Sequence, residues 1–523
     1  MNKAIFLYFL LLIPFIHQQL KPGKATGILT NGFFFLLAGS FVTAYIRLLV
    51  YDHGILATDE GNYAWIIHRI NANPSLAWPI SGPLYVKLIN FLHQQCHLPI
   101  LTAVPLMASL VSTLLPVFLY FGYVSILGGK TTDSALSCLI LLSSSYFLWS
   151  MLEGRPQQLC LLFLFLAAVF YHEYLADNSF KAFIAFFIFY VIVFAYHILS
   201  FFVLSLLIAI MWYVGYLNGS ASLYKLSSLI IPLIICALLF FHPHSFYAST
   251  LSGIKHYHLK HVNLPVFFSL AFGAFGLLLL FKQKIARAVH IGLKWGQSAI
   301  FMGMAFLLSI GVLVFQYILI EKTITDFYAG SLAKFIVFQS GNIFFGLMYF
   351  VGLHILAKSP QKSLRFFVIT SLGLTWITLL FTFLSFFLGS KNWGIRLINF
   401  WVVFAAPVVA VAWVKAAGSA KIAVVLLLSF FMAVSLIHSS KDADLFRFEY
   451  IWEKDDIAAI EWLCRHEGKY CIKHTGHDFT SHYSKENSYK RLMAILCDRK
   501  PIICSGAESS LVKKQGKVEI YRY

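Results

Sequence analysis

The sequence predicts an all-α polytopic membrane protein with about 13–14 transmembrane helices and a small C-terminal α/β extracytoplasmic domain. Three observations carry this prediction. The chain of 523 residues is 59% hydrophobic and 12% charged, about half the charged share of an ordinary soluble domain. Its mean hydropathy is +0.77. Its apolar residues come in runs of about 18–25, such as 300–319 and 336–357, long enough to cross a bilayer core as helices. The 52 Phe suit lipid-facing and inter-helix surfaces, so they speak for a membrane and not for a chemistry.

The segments divide the chain into a transmembrane domain, 1–438, and a soluble unit, 439–523. The first hydrophobic run, 4–16, is short and resembles a signal-peptide core, but no small-x-small cleavage site follows it. Lys21 and Lys24 behind it favour an extra span over a helix lying at the interface. The other runs begin near Phe33, Ile100, Ser134, Leu159, Ala182, Ile198, Leu226, Pro265, Ala299, Ile336, Phe366, Leu397 and Ile422. Between the second and third runs lies a loop, 51–99, too polar to span. In the tail, Asp455 or Asp456 can cap a helix through Ile457, Ile460 and Leu463 to a stop at Gly468. Residues 487–497 read as a second helix, and 470–472, 501–504 and 518–521 read as strands.

Charge sets the expected orientation. One set of loops carries Lys21, Lys24, Lys130, Lys181, Lys225, Lys282, Lys284, Arg287, Lys294, Lys358, Lys362, Arg365, Lys415 and Lys421. The alternate set holds Asp52, Asp59, Glu60, Glu153, Glu321 and Asp326. Basic loops favour the cytoplasm, so the acidic loops and the tail are expected to face outward. A glycan on Asn218, in the Asn218-Gly219-Ser220 sequon of a basic loop, would contradict this. The formal charge of +18 is dispersed through short loops and a tail without a dense stripe, which excludes nucleic acid as a partner. Cys138, Cys160 and Cys236 fall in apolar runs as core thiols. Cys464, Cys471, Cys497 and Cys504 fall in the tail, where they can pair if it lies outside the cytoplasm. No cysteine spacing reads as a zinc site.

Charges beside a membrane core are costly, so a cluster on one face calls for a reason. Thr58-Asp59-Glu60-Gly61-Asn62-Tyr63 follows an early span and leads into a helical stretch, 63–71. Ser81-Gly82-Pro83-Leu84-Tyr85-Val86-Lys87 then runs toward the next span. Glu153-Gly154-Arg155-Pro156-Gln157 lies at the outer end of a helix hairpin. Asn392-Trp393-Gly394-Ile395-Arg396 enters a segment expected to end near Pro407, and Asp456-Ile457-Ala458-Ala459-Ile460-Glu461-Trp462-Leu463 opens the tail domain. Each motif alone also has an ordinary reading: a solvated loop, an interfacial helix, or arginines snorkelling to the interface.

In that order and on one face, these motifs resemble the GT-C superfamily of glycosyltransferases that use polyprenyl-phosphate sugars, which includes protein O-mannosyltransferases and the lipid A aminoarabinose transferase. The resemblance covers nearly the whole chain. It implies transfer of a sugar from a polyprenyl-phosphate donor to a lipid, glycan or protein acceptor on the outer face of the membrane; the compact tail and the absence of glycosylation-rich loops point to a bacterial inner membrane. It also implies roles for particular residues. Asp59 is the base that takes the acceptor's proton. Glu60 orients Asp59, or joins it in holding the divalent cation that some members use; its plain alternative is a helix-start carboxylate favoured by the macrodipole. Arg155 and Arg396, with Lys391 behind them, receive the departing phosphate. Apart from the resemblance, Tyr63 and, among the histidines of the same face, His197 at a tight outer turn are candidate substrate contacts. Lys87 stands where the family places an aromatic or aliphatic residue, which weakens any role for it. The pairs His242/His244 and His256/His258 lack a third fixed ligand for a metal.

Two other classes compete. A transporter or flippase for a lipid-linked glycan would place ionisable groups and broken helices at the midplane in repeated halves, whereas these charges sit at one face. A polysaccharide polymerase or ligase shares the outer basic loops and differs in using a diphosphate-linked donor.

Overall fold

The computed structural model describes residues 55–56, 59–73, 83–141, 156–219, 221–241, 332–387 and 393–415, most of 276–323, and parts of 143–147, 423–431 and 451–522. The chain is a polytopic helical membrane protein. Among the described residues six helices are long and apolar enough to span: Ile100–Ile126, Pro156–Asp177, Ile198–Leu217, Gln339–Lys358, Lys362–Phe383 and Leu397–Lys415. Shorter apolar helices cover Phe180–Tyr196, Leu223–Leu239 and Ala299–Phe315. The predicted runs at 4–16 and from Phe33 lie outside the described residues, as does most of those from Pro265 and Ile422.

The polar loop begins with strand β1 (Ile55–Leu56), followed by α1 (Asp59–Ala72) and α2 (Pro83–Gln95). Helix α1 starts four residues before the expected 63–71 stretch, so the acidic pair sits within its first turn. The first bundle helix, α3 (Ile100–Ile126), is followed by α4 (Thr131–Leu141), α5 (Pro156–Asp177), α6 (Phe180–Tyr196), α7 (Ile198–Leu217) and α8 (Ser227–Phe241). Then come α9 (Lys282–Trp295), α10 (Ala299–Thr323), α11 (Leu332–Lys358), α12 (Arg365–Phe387) and α13 (Trp393–Lys415). Turns of a few residues join α3 to α4, α5 to α6 and α6 to α7, so each pair runs antiparallel.

Three helices run parallel through the centre. The C-terminal ends of α3 and α13 meet at one cleft, where Leu127 and Lys130 lie with Val411, Lys415 and Leu364. The C-terminal part of α5 meets the start of α12 there too, with His172 and Leu175 lining a second cleft beside Arg365 and Phe366. Lys130, Lys362, Arg365 and Lys415 therefore share one end of the bundle, as the loop charges predicted. The starts of α3, α5 and α13 lie at the opposite end.

Proline shapes this packing. Pro407 was expected to mark the end of its segment, yet α13 continues through it to Lys415. Proline has no N–H, so the carbonyl one turn earlier, on Val403, loses its helical partner. The Tyr123 hydroxyl of α3 donates to that carbonyl across 2.5 Å. The helix continues because a neighbour supplies the missing donor, as is common for prolines within membranes. Close by, Gly352 of α11 lets the Val408 carbonyl of α13 approach so closely that a Cβ would clash with it.

The tail opens with β2 (Ile451–Trp452) and α14 (Lys454–Arg465). Asp455 and Asp456 lie inside the first turn of α14, not at its cap, and the helix ends at Arg465, before Gly468. The strands are β3 (Tyr470–His474), β4 (Ile502–Ile503), β5 (Ser510–Gln515) and β6 (Val518–Arg522), ordered β4-β3-β6-β5. Residues 495–497 are helical, within the expected second helix, and Cys464 is bonded to Cys497. The apolar face of α14, Ala459, Ile460 and Leu463, packs with Leu492 and Ile520 and touches Leu101 near the start of α3. The tail thus sits at the acidic end of the bundle. It is also tied there by backbone pairing, since β2 runs antiparallel to β1 with Leu56 opposite Ile451 and Ile55 opposite Trp452.

Candidate active site

The β1–β2 ladder leads the chain directly into Asp59 and Glu60 at the start of α1. A strand that ends by entering a helix brings carboxylates to the positive end of the helix dipole. Asp59 is the first residue of α1; its side chain lies outside what the structure describes. Glu60 is fully buried. Tyr63 lies one turn on, 7% exposed, with Ala64, Ile67 and Ile70 completing the same buried stripe. The outer face carries Arg69, which stacks over Trp65 at 4.8 Å.

Helix α2 holds α1 in place. The Tyr63 ring meets the Tyr85 ring edge to face, with centroids 5.5 Å apart. At the far end the Asn71 amide donates to Asn90 at 3.1 Å and accepts from Gln94 at 3.2 Å. Lys87 points away from this contact and is exposed. The fully buried Glu60 carboxylate is thus fixed on a helix clamped by an aromatic pair at one end and an amide chain at the other.

His197 has a different setting. It is the whole turn between α6 and α7, 9% exposed, and its Nδ1 accepts from the Ser200 N–H at 3.2 Å and lies 2.8 Å from the Ser200 hydroxyl. Accepting from a backbone N–H leaves the neutral ring's proton on Nε2. His197 therefore caps α7, which is a structural task that its sequence position did not reveal. Cys160 of α5 approaches Val193 O at the same level, so His197 lies beside the face of α5 that packs on α6.

Arg396 lies in the first turn of α13, so its backbone is at the acidic end; its side chain is outside what is described. Arg155 and Lys391 lie outside the described residues, as do His242, His244, His256 and His258. Among the described residues no group of three or more His, Cys, Asp or Glu is placed to hold a metal ion. The structure thus brings Asp59, Glu60, Tyr63, His197 and the start of α13 to one end, with Glu60 and Tyr63 on a single face of α1 and His197 apart from them.

One residue was not singled out from sequence. Gln158, in the first turn of α5, is 3% exposed, and neither its Oε1 nor its Nε2 has a hydrogen-bond partner. Leu161, Leu162 and Phe165 follow it on the same helix face at i+3, i+4 and i+7. An amide heading an apolar stripe was the available signal.

No family model matches the chain, and no curated protein matches it. Among solved structures, ArnT from Cupriavidus metallidurans in the apo state is similar, with a TM-score of 0.40 and 12% identity over 90% of this chain and 84% of that one. ArnT from Cupriavidus metallidurans bound to undecaprenyl phosphate is similar with a TM-score of 0.35 and 10% identity, over 95% of this chain and 98% of that one. At this similarity no residue of either protein can be matched to one here.

Proposed function

We propose that the chain is a membrane glycosyltransferase that moves one sugar from a polyprenyl-phosphate carrier to a lipid, glycan or protein hydroxyl, inverting the anomeric carbon, on the outer face of a bacterial inner membrane. The observation that carries the reading is the fully buried Glu60, in an acidic pair that opens a clamped helix at the end of the bundle where α5 and α13 begin. A buried carboxylate in a membrane protein is expensive and points to a functional site.

In the proposed reaction Asp59 accepts the proton of the acceptor hydroxyl as that oxygen bonds to the anomeric carbon. The bond from that carbon to the carrier phosphate breaks, and the phosphate leaves with the electron pair. Arg155 and Arg396 receive its charge, with Lys391 behind them, since a guanidinium matches phosphate oxygens in a bidentate way. Glu60 orients Asp59 through the turn they share, and Tyr63 lines the acceptor side. If a divalent cation takes part, Asp59 and Glu60 are the carboxylates to hold it. His197 contributes by fixing the α6–α7 turn and as a further substrate contact.

The Cys464–Cys497 bond supports an outward tail, because disulfides persist in oxidising compartments, and β1–β2 pairing puts the acidic loop on the tail's side. The test is transfer of labelled sugar from polyprenyl-phosphate donors by membranes containing the native chain. Transfer to an endogenous acceptor supports the reading. Transfer only from a diphosphate-linked donor, or none from any lipid donor with the chain folded, would replace it with the polymerase or transporter reading.

A further inference from the structure

Helix α9, Lys282–Trp295, is held at both ends against the basic end of the bundle. At its start the Lys282 ammonium lies 3.7 Å from the centre of the Tyr216 ring, near the C-terminal end of α7. Just past its end, His354 Nδ1 donates to the Gly296 carbonyl and the Gln297 amide donates to the Ala357 carbonyl, each at 3.1 Å. His354 and Ala357 lie close to the C-terminal end of α11. Val214 and Gly215 of α7 line the same cleft as Arg365, which follows α11 by a short turn, so both anchors lie at that one end. A helix tied in this way runs across the end of the bundle, parallel to the membrane plane and not along the spans.

Its two sides differ in chemistry. Arg287, His290 and Lys294 recur at helical spacing on one side, flanked by Lys284, and α9 holds no acidic residue. All four are exposed. Ile285, Ala288 and Trp295 recur on the other side, and Trp295 is 58% exposed. The Trp295 ring meets Phe301 at 5.6 Å, and Phe301 heads an exposed apolar stripe of α10 with Met304 and Leu308. That stripe is the lipid-facing side of a membrane helix, so the exposed apolar side of α9 continues the hydrocarbon surface at its edge. Tryptophan is characteristic of that level.

We infer that α9 lies flat in the bilayer interface and binds anionic diacyl phospholipids, with Lys284, Arg287 and Lys294 on their phosphate groups and the acyl chains beside α10. The chemistry selects lipid over an acidic protein. A soluble acidic partner would engage only the basic side, whereas a phospholipid engages both, its headgroup at the cations and its chains against Trp295 and the α10 stripe. A net negative headgroup is attracted by this charge, whereas a zwitterionic one offsets the attraction with its own cation. The inference goes beyond the transfer reaction and holds whichever substrate the chain uses.

The test measures, by native mass spectrometry, the lipids retained by purified full-length protein offered an equimolar mixture of phosphatidylglycerol and phosphatidylcholine. Native protein is expected to retain phosphatidylglycerol preferentially. The triple variant Lys284→Gln, Arg287→Gln, Lys294→Gln is expected to lose that preference, with retention about 5-fold weaker for each charge removed. Lys130→Gln, Lys362→Gln, Lys415→Gln removes as many charges from the same end of the bundle and should keep the preference. The charge-preserving Lys284→Arg, Arg287→Lys, Lys294→Arg should keep it too, which separates loss of charge from misfolding. Equal retention of both lipids by native protein, persistence of the preference in the α9 glutamine variant, an equal loss in the control triple, or loss in the charge-preserving variant would overturn the inference. None of these results bears on sugar transfer, which is read separately with a polyprenyl-phosphate donor.

Discussion

The Tyr123 hydroxyl donates to the Val403 carbonyl across 2.5 Å, at the acceptor that Pro407 leaves without a helical N–H. The contact joins two central helices, and its value depends on the proline. Tyr123→Phe in the native background is expected to destabilise the protein by about 1–2 kcal/mol, because it leaves a buried carbonyl unmet. In a Pro407→Ala background the helix supplies its own N–H, and the same change should cost measurably less. Thermal melts of the four proteins in detergent read this coupling. Equal costs in both backgrounds would contradict it.

The α11–α13 contact predicts a sharp difference between two glycines. A methyl at Gly352 would collide with the backbone carbonyl of Val408, which cannot step aside as a side chain can. Gly352→Ala should destabilise the bundle by about 1–3 kcal/mol, the usual cost of overpacking. At Gly346 the added carbon would meet only the Phe306 ring, at 3.9 Å. Gly346→Ala should therefore melt with the native protein.

Backbone pairing between the acidic loop and the tail predicts a cross-link. Opposed residues in an antiparallel ladder have Cα atoms about 4.5–5.5 Å apart, within the span of a disulfide. A Leu56→Cys, Ile451→Cys double variant should form that bond under mild oxidation, detected by peptide mapping, whereas Leu56→Cys with Lys415→Cys should not. Absence of the first bond would separate the tail from the loop.

Much of this was legible in the sequence because a lipid environment imposes a simple rule: spanning segments satisfy their own backbone and show apolar side chains. The runs from Ile100, Leu159, Ile198, Ile336, Phe366 and Leu397 became long helices near those positions, and Cys138, Cys160 and Cys236 proved buried as core thiols. Other features depend on partners distant in sequence. Pro407 looked like a stop because nothing local announces that Tyr123 will bond Val403. Strand β1 is two residues long and exists only through β2. Strand β5, with the polar run Lys513-Lys514-Gln515, carries too little apolar alternation to read as a strand before β6 is known to pair with it. At the site, the acidic pair stood out because charge beside a membrane is rare. His197 also stood out, and its ring proved to cap α7. Gln158 did not, since an amide following Gln157 looks like ordinary helix-start polarity until its burial is seen.

Orientation can be read at Cys96, which is exposed at the acidic end just after α2, whereas Cys138, Cys160 and Cys236 are buried. A membrane-impermeant maleimide applied to intact cells should label Cys96, identified by mass mapping and lost in Cys96→Ser. Labelling of Cys96 only after the membrane is opened would place the acidic end in the cytoplasm and reverse the proposed topology.

The most direct test of the account compares native chain and Asp59→Asn for sugar transfer from a labelled polyprenyl-phosphate donor in membranes. Asparagine keeps the shape of the first residue of α1 but cannot accept the acceptor's proton. The account predicts a loss of at least about 100-fold, the usual contribution of a general base, with unchanged expression and melting temperature. Full transfer by Asp59→Asn would contradict it.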